Sequence, residues 1–131
     1  MHDLSEWNVL VVDDELDNIG VIELVLDYHN ASVRTAESGA ECLKLMEKEI
    51  PTLLLVDIQM PQMSGMELLT IIRKREAWRH IPVIAVTAHA MMGDLERFTA
   101  AGFDGYIPKP ISAMSLVDEL YAIITDKAKL Q

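Results

Sequence analysis

A regular alternation of two residue patterns is the feature that most constrains the fold of this sequence. Short apolar runs rich in β-branched residues are each followed by a longer run with apolar residues three or four positions apart, and this pair recurs five times in 131 residues. The first pattern is typical of strands and the second of helices. The predicted strands cover residues 7–12, 32–36, 53–56, 83–86 and 105–107.

The predicted helices lie between these strands and after the last one. The first helix begins near Leu16, and the fifth begins after Pro110. The second, third and fourth cover about residues 39–48, 65–75 and 91–101. Ser38 and Ser64 precede the second and third helices, each with a glutamate three residues later, which is the pattern of a capping box. Ser112 is the predicted N-cap of the fifth helix.

Strict alternation of strands and helices implies a parallel sheet with right-handed crossovers. The first, third and fourth strands are almost continuously apolar, as expected when helices cover both faces, whereas the second is mixed and the fifth is short, as expected at edges. We therefore predict an α/β fold, a doubly wound flavodoxin-like (βα)5 sheet of order 2-1-3-4-5 with helices on both faces. Residues 1–131 are expected to form one domain, because this length suits a single core.

Charge and cysteine content argue against several classes of function. With 21 acidic and 11 basic residues the net charge is −10, so the surface repels phosphate backbones and direct nucleic-acid binding is not expected. The single cysteine, Cys42, permits no internal disulfide and indicates a reducing compartment. There is no signal-peptide pattern and no apolar run of roughly 20 residues. We expect a cytoplasmic protein without membrane insertion.

Polar residues stand at the carboxyl ends of four predicted strands, where ligands bind in sheets of this kind. Asp13 and Asp14 follow the first strand, Asp57 the third, Thr87 the fourth and Lys109 the fifth. Converging carboxylates repel one another unless a cation lies between them. Oxygen ligands with room for water favour Mg²⁺, with Mn²⁺ as a substitute.

This set of residues suits phosphoryl transfer. Asp57 is a candidate nucleophile that needs no general base, because a carboxylate is already ionised. The transferred group mainly requires positioning and charge neutralisation, which Lys109, the Thr87 hydroxyl and the backbone N–H of Ala88 can supply. Each residue alone is better explained as a helix cap, a turn residue, a strand-end hydroxyl or a surface lysine, but their joint occurrence at four strand ends favours a phosphoryl site.

The segments that carry these residues resemble the receiver domain of bacterial two-component response regulators, of the stand-alone chemotaxis or cell-cycle type. They are VLVVDDE, LLLVDIQMPQMSGMELL, PVIAVTA and GYIPKPI, and the resemblance covers about residues 7–125. It implies that Asp57 accepts phosphate from a sensor histidine kinase or a histidine phosphotransfer protein. It also implies that Asp14 and Asp57 bind Mg²⁺ directly, that Asp13 does so largely through water, and that the Gln59 backbone carbonyl completes the site.

The resemblance further implies a switch. Thr87 would move toward the phosphoryl group and Tyr106 would rotate into the vacated space. The face formed by the fourth helix, the fifth strand and the fifth helix would then change shape for an unidentified downstream protein. The same face is expected to support at most a weak dimer of an otherwise monomeric protein.

Other positions take their expected roles from the same resemblance. The bond between Lys109 and Pro110 matches a cis peptide of the family, which points the lysine inward. Gln59 and His89 border the path of attacking water and are expected to affect the phosphoryl lifetime, although Gln59 could simply line its loop and His89 could be a plain surface residue.

Three alternative functions remain open at this stage. The chain could be the receiver module of a larger hybrid kinase or transcription regulator. An aspartyl-phosphate phosphatase of the haloacid dehalogenase type resembles DxDx[TV], whereas Asp57 is followed by Ile58 and Gln59. A flavin-binding module needs a phosphate-cradling loop, but the first such turn, DDELDN, is acidic. The preferred interpretation is a phosphoacceptor with slow self-dephosphorylation rather than an enzyme that turns over free substrate.

Overall fold

The structure is a computed structural model that describes residues 3–88 and 92–130. Within these residues, five strands alternate with five α-helices. The strands are β1 Asn8–Val12, β2 Ser32–Ala36, β3 Leu53–Asp57, β4 Val83–Thr87 and β5 Gly105–Pro108. The helices are α1 Leu16–Tyr28, α2 Gly39–Lys48, α3 Gly65–Lys74, α4 Met92–Ala101 and α5 Leu116–Leu130, and a 3₁₀ turn covers Glu76–Trp78.

The five strands form one parallel sheet in the order β2-β1-β3-β4-β5, which confirms the predicted topology. The register aligns Val12 of β1 with Val56 of β3, and Asp57 with Val86 of β4. It also aligns Thr87 with Pro108 of β5. The carboxyl ends of four neighbouring strands therefore lie level with one another, and the polar residues that end or follow them share one edge of the sheet.

Alternate residues of the central strands point to opposite faces of the sheet, and each face carries its own apolar cluster. In β3, Leu54 and Val56 pack with α2, α3 and α4, whereas Leu53 and Leu55 pack with α1 and α5. All five residues of β3 are buried, as expected for a central strand covered on both sides. The predicted helical cover on both faces is confirmed.

Serine caps begin two of the helices. The Ser64 hydroxyl accepts from the backbone N–H of Glu67, whose carboxylate accepts from the N–H of Ser64, so α3 has a complete capping box. At α2, Ser38 accepts from the N–H of Glu41 in the same way, but the Glu41 carboxylate accepts from the N–H of Glu37 at 3.4 Å. Only half of the predicted box is present there.

The ends of some elements differ from the prediction. The fifth helix begins at Leu116, four residues after Ser112, so the predicted Ser112 N-cap was wrong. The carbonyl of Ser112 accepts from the N–H groups of Ser115 and Leu116 in the turn that precedes the helix. Leu16, which fits the apolar spacing of α1, is 67% exposed. Its position in the first turn places it beyond the edge of the core. None of the described helices combines the length and hydropathy that a membrane span requires.

The guanidinium group of Arg73 joins the carboxyl end of α3 to two loops at the opposite edge of the sheet from the polar residues. It donates to the carbonyls of Arg79 and Ile81 at 2.9 and 2.8 Å, and to the carbonyl of Gly102 at 2.9 Å. It also contacts Asp104 at 3.1 Å, and that carboxylate accepts from the N–H of Val83 at 2.8 Å. A planar group with fixed donor directions suits this arrangement.

We predict that Arg73→Lys lowers the free energy of unfolding by about 1–3 kcal/mol, because lysine keeps the charge but cannot reach four acceptors at once. Urea denaturation measures the change. Arg97→Lys is the matched control, since Arg97 is 63% exposed and meets Asp94 at 3.4 Å, and exposed pairs of this kind contribute less than about 1 kcal/mol. Equal effects of the two substitutions would contradict the assigned role of Arg73.

Candidate functional site

Three polar residues are buried among the described residues, and all three were predicted site residues. Asp13 is 1% exposed, and Asp57 and Thr87 are each 2% exposed. Asp57 and Thr87 are the last residues of β3 and β4, and Asp13 directly follows β1. Buried carboxylates are costly unless they are paired or bind a metal, so this placement marks a site rather than part of the core.

The ammonium group of Lys109 lies among the carboxylates. Its Nζ atom is 3.3 Å from Oδ2 of Asp13 and 3.2 Å from Oδ1 of Asp57. A third contact of 3.2 Å joins it to Oε1 of Glu15. The backbone N–H of Lys109 donates to the Thr87 carbonyl at 2.9 Å, and the peptide bond to Pro110 is cis. Lys109 therefore faces the site from the end of β5.

The pKa values of the two central groups reflect this crowding. Burial, reinforced by the Asp13 carboxylate, raises the pKa of Asp57 from 3.8 to about 7, although Lys109 and the Gln59 N–H act in the opposite direction. Burial lowers the pKa of Lys109, but the nearby carboxylates of Asp13, Asp57 and Glu15 outweigh it, so the net pKa lies above its usual value. The site thus holds more negative charge than one lysine neutralises.

The geometry fits a divalent cation. Asp13, Asp14, Glu15 and Asp57 each offer a carboxylate oxygen, and these oxygens all lie within 4.8 Å of one another. Among the described residues, the buried Oδ2 atoms of Asp13 and Asp57 have no hydrogen-bond partner, although Oδ2 of Asp13 is in ion-pair contact with Lys109. An all-oxygen set with unsatisfied buried carboxylate oxygens suits a hard cation such as Mg²⁺. Of these four residues, Glu15 was missed from the sequence, where the run of three acids after β1 was the available signal.

The remaining predicted residues surround this cluster to different degrees. The backbone N–H of Gln59 donates to Oδ1 of Asp57 at 3.3 Å, so residue 59 lies beside this carboxylate. Ala88 directly follows Thr87 at an exposed position, and His89 lies outside the described residues. Tyr106 on β5 is 37% exposed. It borders a cavity of about 350 Å³ that is also lined by residues of α5.

Gly65 fixes the position of the loop after Asp57. Its N–H donates to the Ile58 carbonyl at 2.9 Å. A β-carbon at this position would lie 2.4 Å from the carbonyl oxygen of Asp57, which is far inside van der Waals contact. The start of α3 can therefore pack against the backbone of Asp57 only because residue 65 is glycine. The sequence showed a Ser-Gly helix start but not this contact.

These features define an α/β domain with an acidic cluster at the carboxyl edge of its parallel sheet. Residues 9–121 match the response regulator receiver domain family, and the chain belongs to that family. The polar-differentiation response regulator DivK of Brucella ovis is 37% identical over 119 residues, which cover 91% of this chain and 97% of the relative.

Solved structures agree with this assignment. The chemotaxis response regulator CheY4 of Vibrio cholerae superposes with a TM-score of 0.85 at 25% identity, covering 89% of this chain and 98% of that one. A putative response regulator from Chloroflexus aurantiacus gives 0.84 at 28% identity, covering 91% and 98%. Receiver domains are switches of two-component signalling rather than classical enzymes, and they interact with histidine kinases or phosphotransfer proteins and with downstream targets. This membership decides against the dehalogenase-type phosphatase and the flavin-binding module.

We predict that Gly65→Ala lowers the free energy of unfolding by about 2–3 kcal/mol, because the added methyl group displaces the backbone of Asp57. Urea denaturation measures the loss. Gly93→Ala in the first turns of α4 is the control, since a β-carbon there meets nothing within 4 Å and alanine favours a helix. A destabilisation no larger than that of Gly93→Ala would contradict the close contact.

We predict that Asp57→Asn stabilises the metal-free protein more at pH 8 than at pH 5. The raised pKa of about 7 means that the stabilising effect of the protonated carboxyl is complete below the unfolded value near 3.8 and is lost as the pH rises through 7. Asparagine is neutral throughout, so the gain should reach about 1–2 kcal/mol at pH 8. Urea denaturation in a chelator at both pH values measures it. Asp27→Asn, at an exposed position of α1, controls for the loss of one charge, and a gain independent of pH would refute the prediction.

Proposed function

We propose that residues 1–131 form one receiver domain that accepts a phosphoryl group on Asp57, from a histidine kinase or a histidine phosphotransfer protein, in the presence of Mg²⁺. One observation carries this proposal. The Oδ2 atom of Asp57 is buried at a strand end without a hydrogen-bond partner among the described residues, while Oδ1 lies 3.2 Å from the Lys109 ammonium. One oxygen is thus available as a nucleophile, and the other is oriented.

The transfer step needs little from the protein except positioning and charge. An oxygen of the Asp57 carboxylate forms a bond to phosphorus, while the bond from phosphorus to the ring nitrogen of the donor histidine breaks and its electrons return to that ring. Lys109 then neutralises an oxygen of the transferred group, and the Thr87 hydroxyl and the Ala88 N–H donate to others. When bound by Asp13, Asp14, Asp57 and the Gln59 carbonyl, Mg²⁺ supplies the rest of the neutralising charge; Mn²⁺ has the same ligand preference.

The signal leaves through the face formed by α4, β5 and α5. Thr87 lies at the end of β4 beside β5, where Thr87 pairs with Pro108. A shift of Thr87 toward the phosphoryl group opens space for Tyr106, which is 37% exposed and can rotate inward. The phosphoryl contacts favour one of two arrangements, and a downstream protein binds that arrangement. The same face supports at most a weak dimer.

Two further parts of the proposal concern lifetime and location. The phosphoryl group is hydrolysed slowly, with Gln59 and His89 affecting the approach of water. The Gln59 N–H lies 3.3 Å from Oδ1 of Asp57, close enough for its side chain to border the site. A cytoplasmic location is consistent with Cys42, which is free and buried and whose pKa burial raises to about 12.

We predict a Mg²⁺-dependent covalent adduct when the protein is incubated with acetyl phosphate, and we expect Asp57→Asn to reduce it below detection because the amide is not a nucleophile. Intact-mass spectrometry measures the adduct. Asp27→Asn is the matched control and should form as much adduct as the unchanged protein. Tandem mass spectrometry after borohydride trapping locates the modified residue.

The assignment fails if Asp57→Asn retains the adduct, or if a chelator leaves its yield unchanged. Thr87→Ala and Lys109→Ala separate the roles of the neighbours. Both should still bind Mg²⁺, because neither removes a carboxylate, yet both should lose the chemical-shift change at Tyr106 when beryllofluoride is added.

A further inference from the structure

The ammonium group of Lys109 already lies against three carboxylates before any phosphoryl group arrives. A lysine carries three N–H donors, and Nζ of Lys109 lies within 3.3 Å of three carboxylates. Asp13 and Asp57 belong to the proposed phosphoryl site. Glu15 does not, and the proposed function leaves it without a role.

The three carboxylates differ in how firmly they are held. The side chains of Asp13 and Asp57 are 2% and 3% exposed, whereas Glu15 is 62% exposed. The backbone N–H of Glu15 donates to Oδ1 of Asp13 at 2.9 Å. The backbone of Glu15 is thus fixed against the site, while its carboxylate reaches Lys109 from the solvent side and can return to water at little cost.

The position of Glu15 in α1 supports a role at Lys109. Glu15 occupies the N-cap of α1 but makes no side-chain capping bond. The side chains that cap helices are mostly the short ones of Ser, Thr, Asp and Asn. The longer Glu15 side chain extends to Lys109, where its carboxylate accepts a hydrogen bond at 3.2 Å.

We propose that Glu15 is a positioning residue that occupies a donor of Lys109 until an oxygen of the phosphoryl group replaces it. The proposal rests on the proposed function. A phosphoryl oxygen needs a donor on Lys109, and Lys109 contacts both Asp57, which is buried, and Glu15, which is exposed. Glu15 is therefore the carboxylate that can give way. Its carboxylate thus competes with the incoming anion and also repels it, which weakens binding of the anion while keeping Lys109 directed into the site.

The test compares Glu15→Gln with Asp17→Asn, which removes the charge of another exposed acid in the first turn of α1. Each protein is titrated with beryllofluoride, a phosphoryl mimic, at saturating Mg²⁺, and the amide NMR signals of Gln59 and Thr87 report occupancy. Because exposed ion pairs are weak, Glu15→Gln should lower the half-saturating concentration by about two- to fivefold, and Asp17→Asn should lower it by clearly less.

A second measurement separates competition from a general structural effect. With acetyl phosphate as donor, Glu15→Gln should raise the rate of adduct formation at low donor concentration and leave the rate at the highest attainable concentration nearly unchanged, since only binding of the anion is affected. Titration with Mg²⁺ alone should give the same midpoint as the unchanged protein. A weaker midpoint would show that Glu15 is a metal ligand and would overturn the proposal.

The outcomes distinguish this inference from the proposed function. If the unchanged protein forms no adduct and binds no beryllofluoride, the proposed function fails. This inference alone fails if the unchanged protein reacts normally but Glu15→Gln binds beryllofluoride no better, or if Asp17→Asn gives an equal gain. Either result would show that Glu15 does not compete with the phosphoryl group for Lys109.

Discussion

The contact between one ammonium group and several carboxylates at the carboxyl edge of the sheet is the interaction on which this site depends. Lys109 lies 3.2–3.3 Å from Asp13, Asp57 and Glu15, and two of these acids are buried. Burial of a charge is costly unless a partner compensates it. Burial, and after it the Asp13 carboxylate, raise the pKa of Asp57 to about 7, and Lys109 does not offset them. The site is therefore left in need of positive charge, which is the property that a metal-assisted phosphoacceptor requires.

The rest of the fold holds these charges in place. Parallel strand pairing sets the ends of β1, β3, β4 and β5 level, and apolar clusters on both faces fix the sheet. Gly65 lets α3 approach the backbone of Asp57. Arg73 joins α3 to the loops before β4 and β5, so the elements beside the site are tied together at their far ends as well.

The residues of the site fall into a buried group and an exposed group. Asp13 and Asp57 are buried and are held within a packed interior. Tyr106 and Glu15 are partly or largely exposed, so they can change position without disturbing the core. This division suits the proposed switch, in which the buried carboxylates would stay in place and the exposed side chains would respond.

Periodicity and polarity along the chain were enough to predict the sheet order, the two helical layers and the meeting of Asp13, Asp14, Asp57 and Lys109. Those predictions succeed because the apolar pattern of a strand and the residue at its end can be recognised from nearby sequence. Parallel pairing then brings the strand ends together at one edge of the sheet. The contacts of Glu15 with Lys109 and of Gly65 with Asp57 join residues from separate elements, and no local pattern encodes their distances. Only the tertiary structure decided them, because a distance between two side chains depends on how the helices and loops pack, not on the pattern that forms each one.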